Sequence, residues 1–144
     1  MLKASTVYLT EPLQRKLQPE YYNCVIKIET DIEPRKLKFD VLRTIEAKLG
    51  RKRTPDKFAS RTIDIDIILY GNLVVSTKDL IIPDPDIMER AFLAIPLCEI
   101  EPDLVLPVTN KPIKEVADHF KKPKIRVLKS FTEALQGLVR SLGV

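Results

Sequence analysis

"SRTIDIDIILYGN", residues 60–72, sets two aspartates, Asp64 and Asp66, inside an otherwise apolar run. Its alternation predicts a strand, in which residues two apart point to the same side. Asp64 and Asp66 then project together, while Ile63, Ile65 and Ile67 project the other way into a core. Two carboxylates about 6 Å apart repel by ~3 kcal/mol at an effective dielectric of ~20. Such a pair is either a solvated strand face or a site where something neutralises it. Hard divalent cations do so well, and Mg2+ takes one or two carboxylates and leaves its other positions to water and phosphate oxygens. Just upstream lie Arg51, Lys52, Arg53, Lys57 and Arg61. A basic loop alone is usually solvated; beside Asp-x-Asp it fits a metal–polyphosphate held from two sides. Strict alternation puts Arg61 opposite Asp64, so Arg61 reaches that phosphate only if the strand begins near Thr62.

The rest of the composition narrows the classes. A chain of 144 residues fits one domain with its own core. At 44% hydrophobic and 31% charged residues it reads as globular rather than disordered. No apolar run approaches the roughly 20 residues that span a bilayer, and "MLKASTVYLT" lacks a signal-peptide core. A cytoplasmic protein is expected. Cys24 and Cys98 have no pairing or metal spacing and read as buried free thiols. His119 is the only histidine, which argues against dyad, triad and zinc mechanisms. The net charge of +4 is mild. Trp is absent and aromatics are 6%, a poor supply of base-stacking platforms. No P-loop is present.

Around the acidic stretch, strands are expected at 4–10 and 23–30, the second with Cys24, Ile26 and Ile28 on one face. Between them, 11–22 form a long loop. Pro34 opens a helix with Leu37, Val41, Leu42, Ile45 and Leu49 at helical spacing, and Gly50 stops it. Gly71–Asn72 suggests a hairpin pairing "LVVS" back onto the acidic strand. Helices follow at 88–100, with Pro96 as a kink or stop, and from Pro112. "KIRVLK" reads as a strand. The last helix has Ser130 and Glu133 as a capping box. Interleaved strands and helices predict an α+β fold with helices packed on one sheet face.

"KFASRTIDIDIILYG" resembles the signature of the 6-hydroxymethyl-7,8-dihydropterin pyrophosphokinases of folate synthesis, with Ser60 at a position that is proline in the family. "VYLTEPL…QPEYYNCVIKIET", "IEAKLGRKR" and "RAFLAIPLCEIEPDLVLP" are similar to the family on both sides, in the same order. The resemblance runs from about residue 4 to about residue 120. It implies a ferredoxin-like antiparallel sheet with helices packed on it. It also implies transfer of diphosphate from ATP to the pterin hydroxymethyl group, leaving AMP.

The site residues follow from the same match. Asp64 and Asp66 would hold two Mg2+ ions. With Arg51, Arg53 and Arg61 they would form the catalytic set. Glu46, Arg53, Phe58, Arg61, Ile67, Asp84 and Arg90 would contact ATP. Thr10, Leu13, Tyr21 and Asn23 would surround the pterin, and Phe92 would stack on it. The partners would be these two small molecules, with no nucleic acid and no membrane, and the chain a monomer or weak dimer.

Three departures accompany the match. The family's opening strand, Gly-Ser-Asn turn and helix are missing before Ala4. Asp84 stands where histidine is common. The end of the chain, 124–144, adds an atypical strand and helix to the single domain 1–144. A circular permutation would repair the sheet; an unrelated tail and a strand from a partner subunit are the alternatives. The same residues also allow a diphosphotransferase with another heterocyclic acceptor, a non-catalytic pterin- or nucleotide-binding relative, or a small basic RNA-binding domain.

Overall fold

The computed structural model describes residues 2–10, 21–50, 63–121 and 125–142. It is an α+β arrangement of short antiparallel pairs and helices. The expected strand at 4–10 is two: β1 (Leu2–Ala4) and β2 (Tyr8–Thr10). The strand at 23–30 is likewise split into β3 (Tyr21–Asn23) and β4 (Ile26–Ile28). β1 pairs with β4, Lys3 opposite Lys27, and β2 pairs with β3, Leu9 opposite Tyr22.

Ser5 marks the break between the two ladders. Its N–H donates to the Val25 carbonyl, its Oγ accepts from the Val25 N–H at 2.8 Å, and its hydroxyl donates to the Thr6 carbonyl. One buried hydroxyl thus replaces a ladder rung. The shared face of Cys24, Ile26 and Ile28 is the solvent side, so Cys24 is not the buried thiol expected; Val25 is buried, and Lys27 pairs with Glu101 while staying partly exposed.

The first helix is continuous over 34–48 but changes pitch. Glu33 caps it, accepting from the Lys36 N–H, and Pro34 opens it. α1 (Pro34–Lys36) runs into a π-helical turn (Leu37–Leu42) and then α2 (Arg43–Lys48), and Gly50 leaves it at φ 89°. The wider turn rotates everything after it relative to a regular 3.6-residue pattern. Leu37 is buried as expected, but Ile45 and Leu49 are 40% and 53% exposed. Glu46 faces inward instead.

Residues 63–70 belong to no ladder among the described residues. The turn at Gly71–Asn72 forms, with Leu73 N–H on the Tyr70 carbonyl. Beyond it, however, β5 (Val75–Ser76) pairs with β6 (Ile81–Ile82) rather than with the acidic stretch. A 3-10 turn (Pro85–Ile87) follows, then α3 (Ala91–Ile100), which passes through Pro96, and α4 (Ile113–Asp118). Ile87, Ala94, Leu97, Ile100, Ile113 and Val116 make the core, with Ile68 and Leu69 packed against it. No described helix is long and apolar enough to cross a membrane.

At the end of the chain, β7 (Ile125–Val127) pairs with β2, making β2 the middle of a three-stranded sheet. α5 (Lys129–Ser141) packs on β1 and sets Phe131 5.2 Å from the Tyr22 ring. The capping box does not form. The Leu128 N–H is already bonded to the Val7 carbonyl, so Leu128 is the cap, and Thr132 Oγ1 accepts from the Val7 N–H at 2.9 Å. This strand and helix are therefore joined to the N-terminal strands. Met1 and Val144, whose proximity a permutation requires, lie outside the described residues.

Ser5→Ala should cost about 1–3 kcal/mol, because the buried Val25 N–H then has no acceptor. Urea unfolding measures it; a loss near zero would mean that the hydroxyl does not hold the break together.

Candidate active site

The acidic stretch runs antiparallel to the helix 34–48 and is tied to it and to the core at separate points. Near its start, the Ile65 N–H donates to Glu46 Oε2 at 2.8 Å. Near its middle, the Ile68 carbonyl accepts from the Asp84 N–H at 2.9 Å. At its end, the Tyr70 hydroxyl donates to the Ile32 carbonyl at 2.7 Å. Between these ties the side chains alternate. Ile63 and Ile65 are half-buried, and Asp64 and Asp66 both reach solvent. The same-side placement read from the sequence therefore stands without a strand ladder to enforce it.

Asp84 enters through the tie at Ile68. Its side chain caps the 3-10 turn, Oδ1 accepting from the Asp86 N–H at 2.9 Å. Burial, partly offset by that bond, holds its carboxyl above the usual range. Asp66 is pushed up to about 6. Burial is the largest cause, followed by the charges of Asp64, Asp84 and Glu46; among the described residues Lys38 opposes them. Asp66 is exposed, and the protein packed around it still desolvates its carboxyl in part.

Lys38 was not marked as a site residue by the sequence pattern. Its Nζ donates to the Asp79 carbonyl, and Asp79 is also gripped by both guanidinium nitrogens of Arg35 at 2.8 Å. Lysines in amphipathic helices are ordinary, and only the π-helical turn and the Asp79 anchor reveal this one. Arg35, Lys38 and Arg43 also lie over the Phe39 ring, Arg43 closest at 4.4 Å.

The residues assigned to the pterin form a second group. Thr10 and Tyr21 are directly opposed, as are Tyr8 and Asn23, so all four share one sheet face. Asn23 Nδ2 donates to the buried Thr10 Oγ1 at 2.9 Å, which leaves the Asn23 carbonyl oxygen for another partner. α3 lies between this group and the acids. Its cap Arg90 bonds through its N–H to the Asp86 carbonyl, and Phe92 is in its first turn. Two turns on, Glu99 accepts from both the N–H and the hydroxyl of Thr6, next to β2. Ile67 is half-buried within the acidic stretch. Leu13, Arg51, Arg53, Phe58 and Arg61 lie outside the described residues.

This donor set suits one kind of ion. Among the described residues, no three His, Cys, Asp or Glu side chains make a ready ligand group. Two adjacent carboxylates in an acidic surround suit a hard cation that completes its shell with water and phosphate.

Asp66 is the acid whose folded-state value is raised, so its contribution to stability is present below about 4 and is lost as pH rises through about 6. Asp84→Asn removes one repelling charge and keeps a capping side chain. At pH 7 without metal it should stabilise the protein by about 1 kcal/mol after solvent screening, roughly 3 °C in Tm, and at pH 3.5 it should change little. Melting curves at both pH values decide this; an equal shift at both would mean that the repulsion is not the cause.

Comparison with known proteins gives the family. The family model described as 7,8-dihydro-6-hydroxymethylpterin-pyrophosphokinase matches residues 1–102. The chain is 42% identical over 122 residues to the 2-amino-4-hydroxy-6-hydroxymethyldihydropteridine pyrophosphokinase of Haemophilus influenzae, covering 83% of this chain and 75% of that protein. It is 39% identical over 113 residues to the Aquifex aeolicus protein of the same name, covering 78% and 69%. It is also 41% identical over 132 residues to the folic acid synthesis protein fol1 of Pneumocystis carinii; 89% of this chain is covered, but only 18% of that much longer protein. With the acid pair, its flanking motifs and the matched length in agreement, the chain belongs to the 7,8-dihydro-6-hydroxymethylpterin-pyrophosphokinase family.

Proposed function

We propose that this chain performs the reaction of its family, with Asp64 and Asp66 at its centre and ATP and 6-hydroxymethyl-7,8-dihydropterin as substrates. The observation that supports this reading is Asp64 and Asp66 exposed on one side of a stretch that is tied to Glu46 through Ile65 and to Asp84 through Ile68. The acceptor hydroxyl oxygen bonds to the β-phosphorus of ATP. The bond from that phosphorus to the oxygen bridging the α-phosphate breaks, AMP leaves, and the hydroxyl proton passes to solvent. Bound at Asp64 and Asp66, two Mg2+ ions would offset phosphate charge and align donor with acceptor.

The chain's own residues do the rest. Thr10, Tyr21 and Asn23 offer a flat face with one free amide oxygen for a pterin edge. Phe92 offers a ring in the first turn of α3, beside Arg90, whose guanidinium is suited to a phosphate. Arg51, Arg53, Arg61 and Phe58 belong to the basic stretch that we assign to ATP, with Leu13 assigned to the pterin. Ile67 and Asp84 lie along the path of the nucleotide. No side chain need act as nucleophile, since phosphoryl-type transfer rests on positioning and charge. We take 1–144 as one domain acting in the cytoplasm, as monomer or weak dimer.

Asp64→Asn and Asp66→Asn should each lower AMP formation by about 10²-fold or more while the far-UV circular dichroism stays unchanged. Turnover near wild type at millimolar Mg2+ in either variant would overturn the assignment.

A further inference from the structure

We propose that Glu46 is a positioning residue whose buried carboxylate fixes the backbone between Asp64 and Asp66, rather than a contact to the nucleotide. The inference rests on the reading of those two aspartates as the metal-holding pair. Three observations carry it. Glu46 is 2% exposed, which removes it from the reach of a solvent-borne ligand. Its Oε2 lies 2.8 Å from the nitrogen of Ile65, the one residue between the two aspartates. And the stretch 63–70 has no ladder among the described residues, so this bond does the work that a neighbouring strand does elsewhere.

Burying a carboxylate is costly, and near two other acids it is more so. Packing alone would favour an apolar side chain here. The π-helical turn over Leu37–Leu42 sharpens the point. It turns Ile45 and Leu49 outward, and the residue brought inward is the acid. Anchoring the Ile65 N–H restricts the backbone on both sides of it. That bond thereby helps to set the directions of the Asp64 and Asp66 side chains. Partners that orient metal ligands are worth about 10- to 100-fold in metal affinity.

The test uses the full-length chain with Mn2+ as the probe and neither nucleotide nor pterin present. Two variants separate charge from geometry: Glu46→Gln keeps an acceptor for the Ile65 N–H, and Glu46→Leu does not. Two quantities are read, Mn2+ affinity and the hydrogen-exchange protection of the Ile65 amide. The expected result is that Glu46→Gln restores both to within about threefold of wild type, while Glu46→Leu loses about tenfold or more in each. Glu46→Leu binding Mn2+ as wild type does would overturn the proposal. So would Glu46→Gln losing affinity while Ile65 stays protected, because the charge itself would then be what matters. Should Glu46→Leu fail to fold, the Glu46→Gln result decides alone. An error in the pyrophosphokinase reading shows separately, as normal Mn2+ binding without AMP formation.

Discussion

Asp66 cannot ionise cheaply. Asp64 shares its side of the backbone, Asp84 arrives from the following turn, and Glu46 is buried behind the stretch 63–70. Like charges gathered in a partly desolvated space raise proton affinity, and here the group raised furthest is Asp66. The fold could have dispersed these acids. Instead hydrogen bonds from Ile65 to Glu46 and from Asp84 to Ile68 hold these acids beside one stretch of backbone.

The surrounding architecture follows from that need. A regular central strand would hold the acid pair rigidly, but 63–70 lies outside any ladder of the described residues and is pinned at Ile65, Ile68 and Tyr70. One pin uses a helix side chain, one a loop backbone, and one a tyrosine reaching the entry to the helix. Ile68 and Leu69 meanwhile sit against the core, so the site and the core share a segment. α3 continues the arrangement, running from Arg90 beside the Asp84 turn to Glu99 beside Thr6. The two ends of this helix are a short span apart, since ten helical residues extend only about 15 Å.

Much of this was legible in the sequence for identifiable reasons. Asp-x-Asp within isoleucines has a single geometric reading, and Pro34 and Gly50 bracket a helix because each suits one end and not the interior. What could not be read was phase and lateral contact. A π-helical turn leaves no periodic mark, so the 3.6-residue stripe assigned Ile45 inward and missed Glu46 as an interior group. Lys27 pairs with Glu101, which is distant in sequence. β5 pairs with β6, and the acidic stretch is held instead by the Asp84 N–H on the Ile68 carbonyl, a contact with no local sequence signal. Ser130 was a plausible cap until the bond from Leu128 to Val7 fixed the helix start elsewhere.

A divalent cation held by Asp64 and Asp66 would draw the proton off Asp66. Calorimetric titration of Mg2+ in two buffers of different ionisation enthalpy measures the protons released on binding. With Asp66 near 6, binding at pH 6 should release roughly half a proton, and at pH 8 almost none. Mg2+ binding with no proton release at pH 6 would contradict the account, because the cation would then be settling where no carboxylate was waiting to ionise.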